Sequence, residues 1–263
     1  VQLEKAEQLM ELAYDRFGEG FPLIILHGLF GSASNFRSFA RKFSETYSVF
    51  CLDLRNHGAS PHHEDTSYSA MSGDVVELMD RVGLERAHIL GHSLGGKVAM
   101  QLALSHPERL GKLIVGDIAP VPYPPHHTRI FEGLNAIDLD RLTSRGDAEE
   151  ALQPYVPEAG IRLFLLTNLV RTKDGGFAWR CNLEALEKGY DHIAAAPAGG
   201  SFRGETLFLR GEKSDYIRDE HLAEIYRLFP RSQIKTIAGA GHWLHADKPE
   251  EFMKMVLAFL KEA

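Results

Sequence analysis

The chain has 263 residues, 44% of them hydrophobic, which is enough for one large α/β domain with an insertion or for two small domains. A formal net charge of −7 with no basic block argues against a nucleic-acid binder, which needs a positive stripe. Two cysteines, Cys51 and Cys181, form no Cys-x-x-Cys and no disulfide framework, so a reducing, cytoplasmic setting is expected. Val1 to Gln8 carries Glu4, Lys5 and Glu7 and reads as no secretory leader, and no apolar run approaches the ~18–20 residues of a membrane span.

In chain order, Leu9 to Phe17 alternates and predicts an antiparallel edge strand, followed by a turn at Gly18-Glu19-Gly20. Strands are expected at Leu23–Leu26, Tyr47–Leu52, Ala87–Leu90 and Lys112–Val115, with helices at Ser34–Phe43, Ser69–Val82 and Leu94–Ser105 between them. Short apolar runs alternating with helical patterns predict a mostly parallel sheet with crossover helices. The rhythm breaks at Pro120, Pro122, Pro124 and Pro125. From about residue 120 to 200 the pattern is helical with no convincing strand, and Ala194–Gly200 is a flexible exit. It resumes with strand Thr206–Leu209, helix Asp219–Phe229, strand Ile234–Ile237 and helix Pro249–Lys261. The expected organisation is one core, 1–118 and 202–263, interrupted by a helical cap at 119–201. Insertions of this kind commonly cover active sites.

Gly91-His92-Ser93-Leu94-Gly95 is a G-x-S-x-G at the end of an apolar strand and the start of a helix. So sharp a reversal crowds the residues two before and two after the serine, and glycine has no Cβ to clash. The turn presents Oγ above the sheet and directs helix N-terminal N–H groups at a developing oxyanion. Gly91 to Lys97 also fits the start of a phosphate loop, but Val98 stands where that loop needs a magnesium-binding Ser or Thr.

A serine hydroxyl needs a base and a place for the negative charge it creates. His27-Gly28-Leu29-Phe30-Gly31 follows an early strand, where one oxyanion donor is commonly supplied. The expected donors are the N–H of Leu29 and of Leu94. Among thirteen histidines, His242 in Gly239-Ala240-Gly241-His242 follows the last strand, the place of the base in a Ser…Asp…His order. His245 reads as structural or cap-facing. The pairs His62-His63, His126-His127 and His242/His245 match no zinc spacing, so neither metal nor cofactor is expected.

Two acids compete. Asp215 follows the Thr206–Leu209 strand in Gly211-Glu212-Lys213-Ser214-Asp215, one residue later than a G-x-x-D turn would put it. Asp117 ends the strand beside the nucleophile strand. The reading favours Asp117, with Ser214 as a hydrogen-bond relay and Asp215 as the alternative.

Taken together, His27–Ser32, Asp53-Leu54-Arg55-Asn56-His57-Gly58, Gly91–Lys97, Asp117-Ile118-Ala119-Pro120 and Gly239–Ala246 resemble the YbfF-type esterases, from Leu23 to Leu260 and least in the cap. That resemblance implies the α/β-hydrolase fold, with an eight-stranded mostly parallel sheet, a helical cap, and cleavage of short- to medium-chain acyl esters or thioesters. It also implies a serine at position 214, which supports Asp117 as the acid; Asp215 departs from the family pattern. The Asp53–Gly58 turn is expected to brace the site's rim, without a second dyad. Phe30 and Trp243 are candidate substrate contacts, with Phe131, Phe164, Phe177 and Trp179 as further lining. An acyl ester is the expected partner of a monomer or homodimer. Same-fold alternatives are a serine haloperoxidase or a C–C bond hydrolase; an aspartate-nucleophile hydrolase is disfavoured by Ser93. The non-enzyme alternative is a binding protein on a hydrolase scaffold.

Overall fold

The computed structural model describes residues 10–261, so the reading of Val1–Gln8 and the first residue of the Leu9–Phe17 run lie outside the described residues. The first strand, β1 (Tyr14–Phe17), is followed by β2 (Phe21–Leu26), α1 (Arg37–Phe43), β3 (Tyr47–Leu52), α2 (Tyr68–Arg81), β4 (Ala87–His92), α3 (Leu94–Ser105) and β5 (Leu110–Gly116). Next come α4 (Thr128–Asn135), α5 (Arg145–Leu152), α6 (Ala159–Leu165), the short strands β6 (Leu169–Arg171) and β7 (Phe177–Trp179), α7 (Leu183–Lys188) and α8 (Tyr190–Ala194). The chain closes with β8 (Thr206–Gly211), α9 (Leu222–Leu228), β9 (Ser232–Ile237), α10 (Leu244–Asp247) and α11 (Pro249–Lys261).

The main sheet runs β1-β3-β2-β4-β5-β8-β9 and is parallel except for β1, which pairs antiparallel with β3. It has seven strands among the described residues, not the eight expected. The reason is in the chain: seven runs carry a core-strand pattern, and the segment around residues 10–17 supplies only one strand. The expectation of no strand between 120 and 200 is also corrected by the β6–β7 hairpin. Three-residue strands are too short to show alternation; the usable sign was the glycine-bearing turn Thr172–Gly176, where Gly175 takes φ +90°.

Period-two side-chain alternation builds a core on each face of the sheet. Ile24 and Leu26 of β2 and Phe50 and Leu52 of β3 pack on α2 and α3, with Val75, Leu78, Val98 and Leu102. Leu23 and Ile25, Val49 and Cys51 face α1 and α11 on the other side, with Phe39, Phe43, Phe252, Val256 and Phe259. α3 is buried from Leu94 through Leu104, so its polar residues need internal partners. Lys97 donates to the carbonyls of Val121, Ala194 and Ala195, and the Gln101 amide exchanges two bonds with Ala198. Residues 121 and 194–198 are thereby tied to the helix that follows Ser93.

β2 lies between β3 and β4, so the chain leaves β2 in one direction and resumes on its other side. A crevice at the carboxyl ends of the strands forms at such a switch point. The loops after β2 and β4 meet there. Among the described residues no helix is long and apolar enough to cross a membrane. Cys51 and Cys181 are both buried and unpaired.

Candidate active site

Ser93 stands between β4 and α3 with φ +54° and ψ −118°, a conformation that L-residues rarely hold. The flanking glycines make it attainable. A Cβ on Gly91 would lie 2.1 Å from the Gly95 carbonyl oxygen, and one on Gly95 would lie 2.3 Å from that of Leu26. Phe30, Asn56 and Asp117 are the other non-glycine residues with positive φ among those described, and all sit in loops at this end of the sheet. Strain of roughly 1–3 kcal/mol per residue persists only where the surroundings impose it.

The Nε2 of His242 is 3.0 Å from Ser93 Oγ, and its Nδ1 is 2.8 Å from Asp117 Oδ2. The three residues come from the ends of β4, β5 and the loop after β9. Asp117 is fully buried, and its backbone N–H continues the sheet by donating to Leu209 at 2.8 Å. Its Oδ1 accepts the Gly211 N–H at 2.9 Å, and its Oδ2 accepts the Ser214 hydroxyl as well as the imidazole. Three donors thus converge on one buried carboxylate. Asp215 is exposed and has no hydrogen bond to His242. The Ser214 hydroxyl reaches Asp117 directly.

Such a line can move a proton from the hydroxyl to the imidazole while the carboxylate offsets the charge. With Nδ1–H directed at Asp117, Nε2 offers its lone pair to Ser93. Tyr216 stacks on His242 at 4.0 Å between ring centroids and 25° between planes. His92 Nε2–H donates to the His242 carbonyl at 2.8 Å. Burial above all, and then the neighbouring His245 and His242, hold the His92 pKa well below its ordinary value. His92 and Tyr216 were not singled out in the sequence. His92 sits inside the motif itself; for Tyr216 only its place in the turn after β8 was a clue.

The N–H groups of Leu29 and Leu94 have no protein acceptor among the described residues, whereas those of Phe30, Gly31 and Ser93 are engaged. Phe30 N–H donates to His57 Nε2 at 3.2 Å and Gly31 N–H to the Gly28 carbonyl at 2.9 Å. Two free donors flanking a serine hydroxyl could hold a tetrahedral oxyanion. A cavity of about 260 Å³ opens over Ser93, with Ile130, Ile161, Phe164, Leu165 and Trp243 as its apolar wall. Phe30 lines it although only 3% exposed. Phe131 packs behind Phe30 at 5.3 Å, while Phe177 and Trp179 belong to the hairpin and do not reach the cavity.

Of the remaining histidines, His127 and His245 also line this cavity. His245 packs against Phe36 at 4.5 Å and His92 at 4.8 Å. His62 bonds to the Arg180 carbonyl, and His127 bonds to the Tyr190 hydroxyl. Asp53 and His57 form no dyad. The Asp53 carboxylate accepts the N–H of Ala33 and Ala59, and His57 spans Arg55 and Phe30.

The fold and this constellation define a class, and residues 23–255 match the model of the alpha/beta hydrolase family. The chain belongs to that family. It is 44% identical to the sn-1-specific diacylglycerol lipase ABHD11 of Mus musculus over 90% of this chain and 80% of that protein. It is 34% identical to Esterase YbfF of Escherichia coli (strain K12), over 92% of this chain and 93% of that one, in line with the resemblance seen in the sequence blocks. The solved structure of a marine microorganism esterase superposes with a TM-score of 0.93 at 40% identity, over 95% of this chain and 99% of that one.

Proposed function

We propose that this protein is a carboxylesterase that hydrolyses short- to medium-chain acyl esters, and thioesters of the same acyl groups, through an acyl-enzyme on Ser93. His242 takes the Ser93 proton as Oγ bonds to the ester carbonyl carbon. The oxygen of the tetrahedral intermediate rests on the N–H groups of Leu29 and Leu94. As the carbon–oxygen bond to the alcohol breaks, His242 gives its proton to the leaving oxygen. Water then repeats the sequence on the acyl-enzyme, releasing the acid and restoring the serine. Asp117 keeps the imidazole in the required tautomer, with Ser214 and the Gly211 N–H bracing it. Residues 119–201 act as a cap whose α4 and α6 side chains, Ile130, Ile161 and Phe164, form part of the cavity's apolar wall.

The observation that carries this reading is the unbroken Ser93–His242–Asp117 line, at 3.0 and 2.8 Å, beside two unengaged N–H groups in an apolar cavity. The neighbours named esterase and lipase support ester bonds as the target. A cavity of about 260 Å³ suits compact acyl groups. Two unpaired buried thiols fit a cytoplasmic setting. The reading is tested by hydrolysis of p-nitrophenyl esters graded in acyl length. Ser93→Ala is expected to lower kcat on the order of 10⁴–10⁶, and wild-type rates are expected to fall as the acyl chain outgrows the cavity. Near-wild-type turnover by Ser93→Ala would overturn the proposal.

A further inference from the structure

Two features remain without a role in the chemistry above: the Asp53–Gly58 turn and the β6–β7 hairpin. The structure joins them to the loop that carries the Leu29 N–H. On the core side, His27 Nε2 accepts the Leu54 N–H at 3.0 Å, His57 Nε2 accepts the Phe30 N–H at 3.2 Å, and Asp53 Oδ1 accepts the Ala33 N–H at 2.7 Å. Each pairs the 27–33 loop with the turn. The His57 tautomer is set by its other nitrogen, which donates to the Arg55 carbonyl at 2.9 Å. Nε2 therefore faces Phe30 as an acceptor.

On the cap side, Asn168 immediately precedes β6 and Asn182 lies just beyond β7. Arg180 N–H donates to the Asn168 carbonyl at 2.8 Å, closing the base of the hairpin. The Asn168 amide donates to the Phe30 carbonyl at 2.7 Å and to the Leu165 carbonyl at 3.3 Å. Asn182 N–H donates to the Asn56 carbonyl at 2.9 Å, and its amide to Asn56 Oδ1 at 3.1 Å. Both recipients hold positive φ, +61° at Phe30 and +67° at Asn56. Asn168, Phe30, Asn56 and His57 are all buried, so these bonds do not exchange freely with water. Phe30 is thus held by its N–H from the core and by its C=O from the cap, in a conformation it would not keep alone.

We infer that Asn168 and His57 are positioning residues for the oxyanion hole: they grip Phe30 from opposite sides and so fix the neighbouring Leu29 N–H, which makes seating of the cap hairpin part of building the site. The inference rests on the esterase reading. Neither residue touches substrate. Removing either grip leaves the cavity and the Ser93–His242–Asp117 line in place, and lets one oxyanion donor drift. A displacement on the ångström scale costs up to about a hundredfold in rate.

The test compares wild type, Asn168→Ala and the isosteric Asn168→Asp, which keeps the shape and loses the donor; native circular dichroism is required of each. The assays are p-nitrophenyl butyrate hydrolysis and inhibition by an alkyl trifluoromethyl ketone, whose Ser93 hemiketal anion needs both N–H groups. The matching alcohol fills the cavity without an oxyanion and serves as control. We expect kcat to fall roughly tenfold to a hundredfold with little change in KM. Ketone affinity should fall by a similar factor and alcohol affinity should hold. On the core side, His57→Gln keeps an acceptor for the Phe30 N–H and should retain at least about tenfold more activity than His57→Leu, which cannot accept that bond. Unchanged kcat and ketone affinity in the Asn168 variants would overturn the clamp, as would equal weakening of ketone and alcohol. So would equal activity in the two His57 variants. Failure of the wild type to form the hemiketal, read by fluorine NMR, would instead remove the esterase reading, and the clamp with it.

Discussion

Exchanging Asp117 for asparagine changes one atom in a fully buried site, and the surrounding donors decide the result. The carboxylate accepts three hydrogen bonds: Gly211 N–H on Oδ1, and Ser214 O–H and His242 Nδ1–H on Oδ2. The Gly211 donor is backbone and cannot turn away. The asparagine carbonyl must therefore stay on Gly211, which puts its NH2 where Oδ2 was. An NH2 facing His242 favours the tautomer with a bare Nδ1 and a protonated Nε2, and that proton points at Ser93 Oγ from 3.0 Å. The base is then lost while the geometry survives. The expected loss is on the order of 10⁴ in kcat, the size that a wrong imidazole tautomer produces, or about 5 kcal/mol of barrier. Asp215→Asn, at an exposed position, should alter kcat by no more than about twofold. Both variants are measured on p-nitrophenyl butyrate with thermal unfolding recorded alongside. Asp117→Asn within tenfold of wild type, or a crippled Asp215→Asn, would refute the assignment of the acid.

Other expectations follow from the same geometry. Tyr216→Ala removes the ring stacked on His242 and should lower kcat up to about tenfold, whereas Tyr216→Phe keeps the ring and should stay within about twofold; equal losses in both would show that the hydroxyl, not the stack, matters. Burial lowers the pKa of His27 to about 4, and burial followed by the charge of His27 lowers that of His57 to about 3, against an ordinary 6.5. Each is neutral in the folded chain and binds a proton more readily when unfolded, so stability is complete above about pH 6.5 and falls as the pH drops toward 4. Urea midpoints at pH 7.5, 6 and 5 should decline in that order, and a midpoint unchanged down to pH 5 would contradict the neutral buried pair.

Much of this was legible from short-range pattern. The strand Tyr47–Leu52 and the helix Leu94–Ser105 have the bounds expected, because each pattern is closed by polar or turn residues. The motif around Ser93 was readable because its glycines are a local steric necessity. Pairings across the chain were less so. Asp117 and His242 are 125 positions apart, and the one-residue offset of Asp215 from a G-x-x-D turn only weakened that rival. What separates them is that β5 and β8 end side by side, which aims Asp117 at Gly211 and leaves Asp215 exposed in the turn. Asn168 was invisible for a similar reason: an asparagine beside a three-residue strand carries no pattern until its partner at Phe30 is known. The short helix α10 went unread because four residues hold barely one turn.

The central claim is that the Ser93 hydroxyl is the activated nucleophile, and serine-directed fluorophosphonate labelling addresses it directly. Intact mass followed by peptide mapping should find one adduct, on the peptide carrying Ser93, formed slowly or not at all in His242→Ala and suppressed by a hydrolysable ester. Full esterase activity persisting in fluorophosphonate with Ser93 unmodified, or an adduct on another serine that tracks the loss of activity, would contradict it.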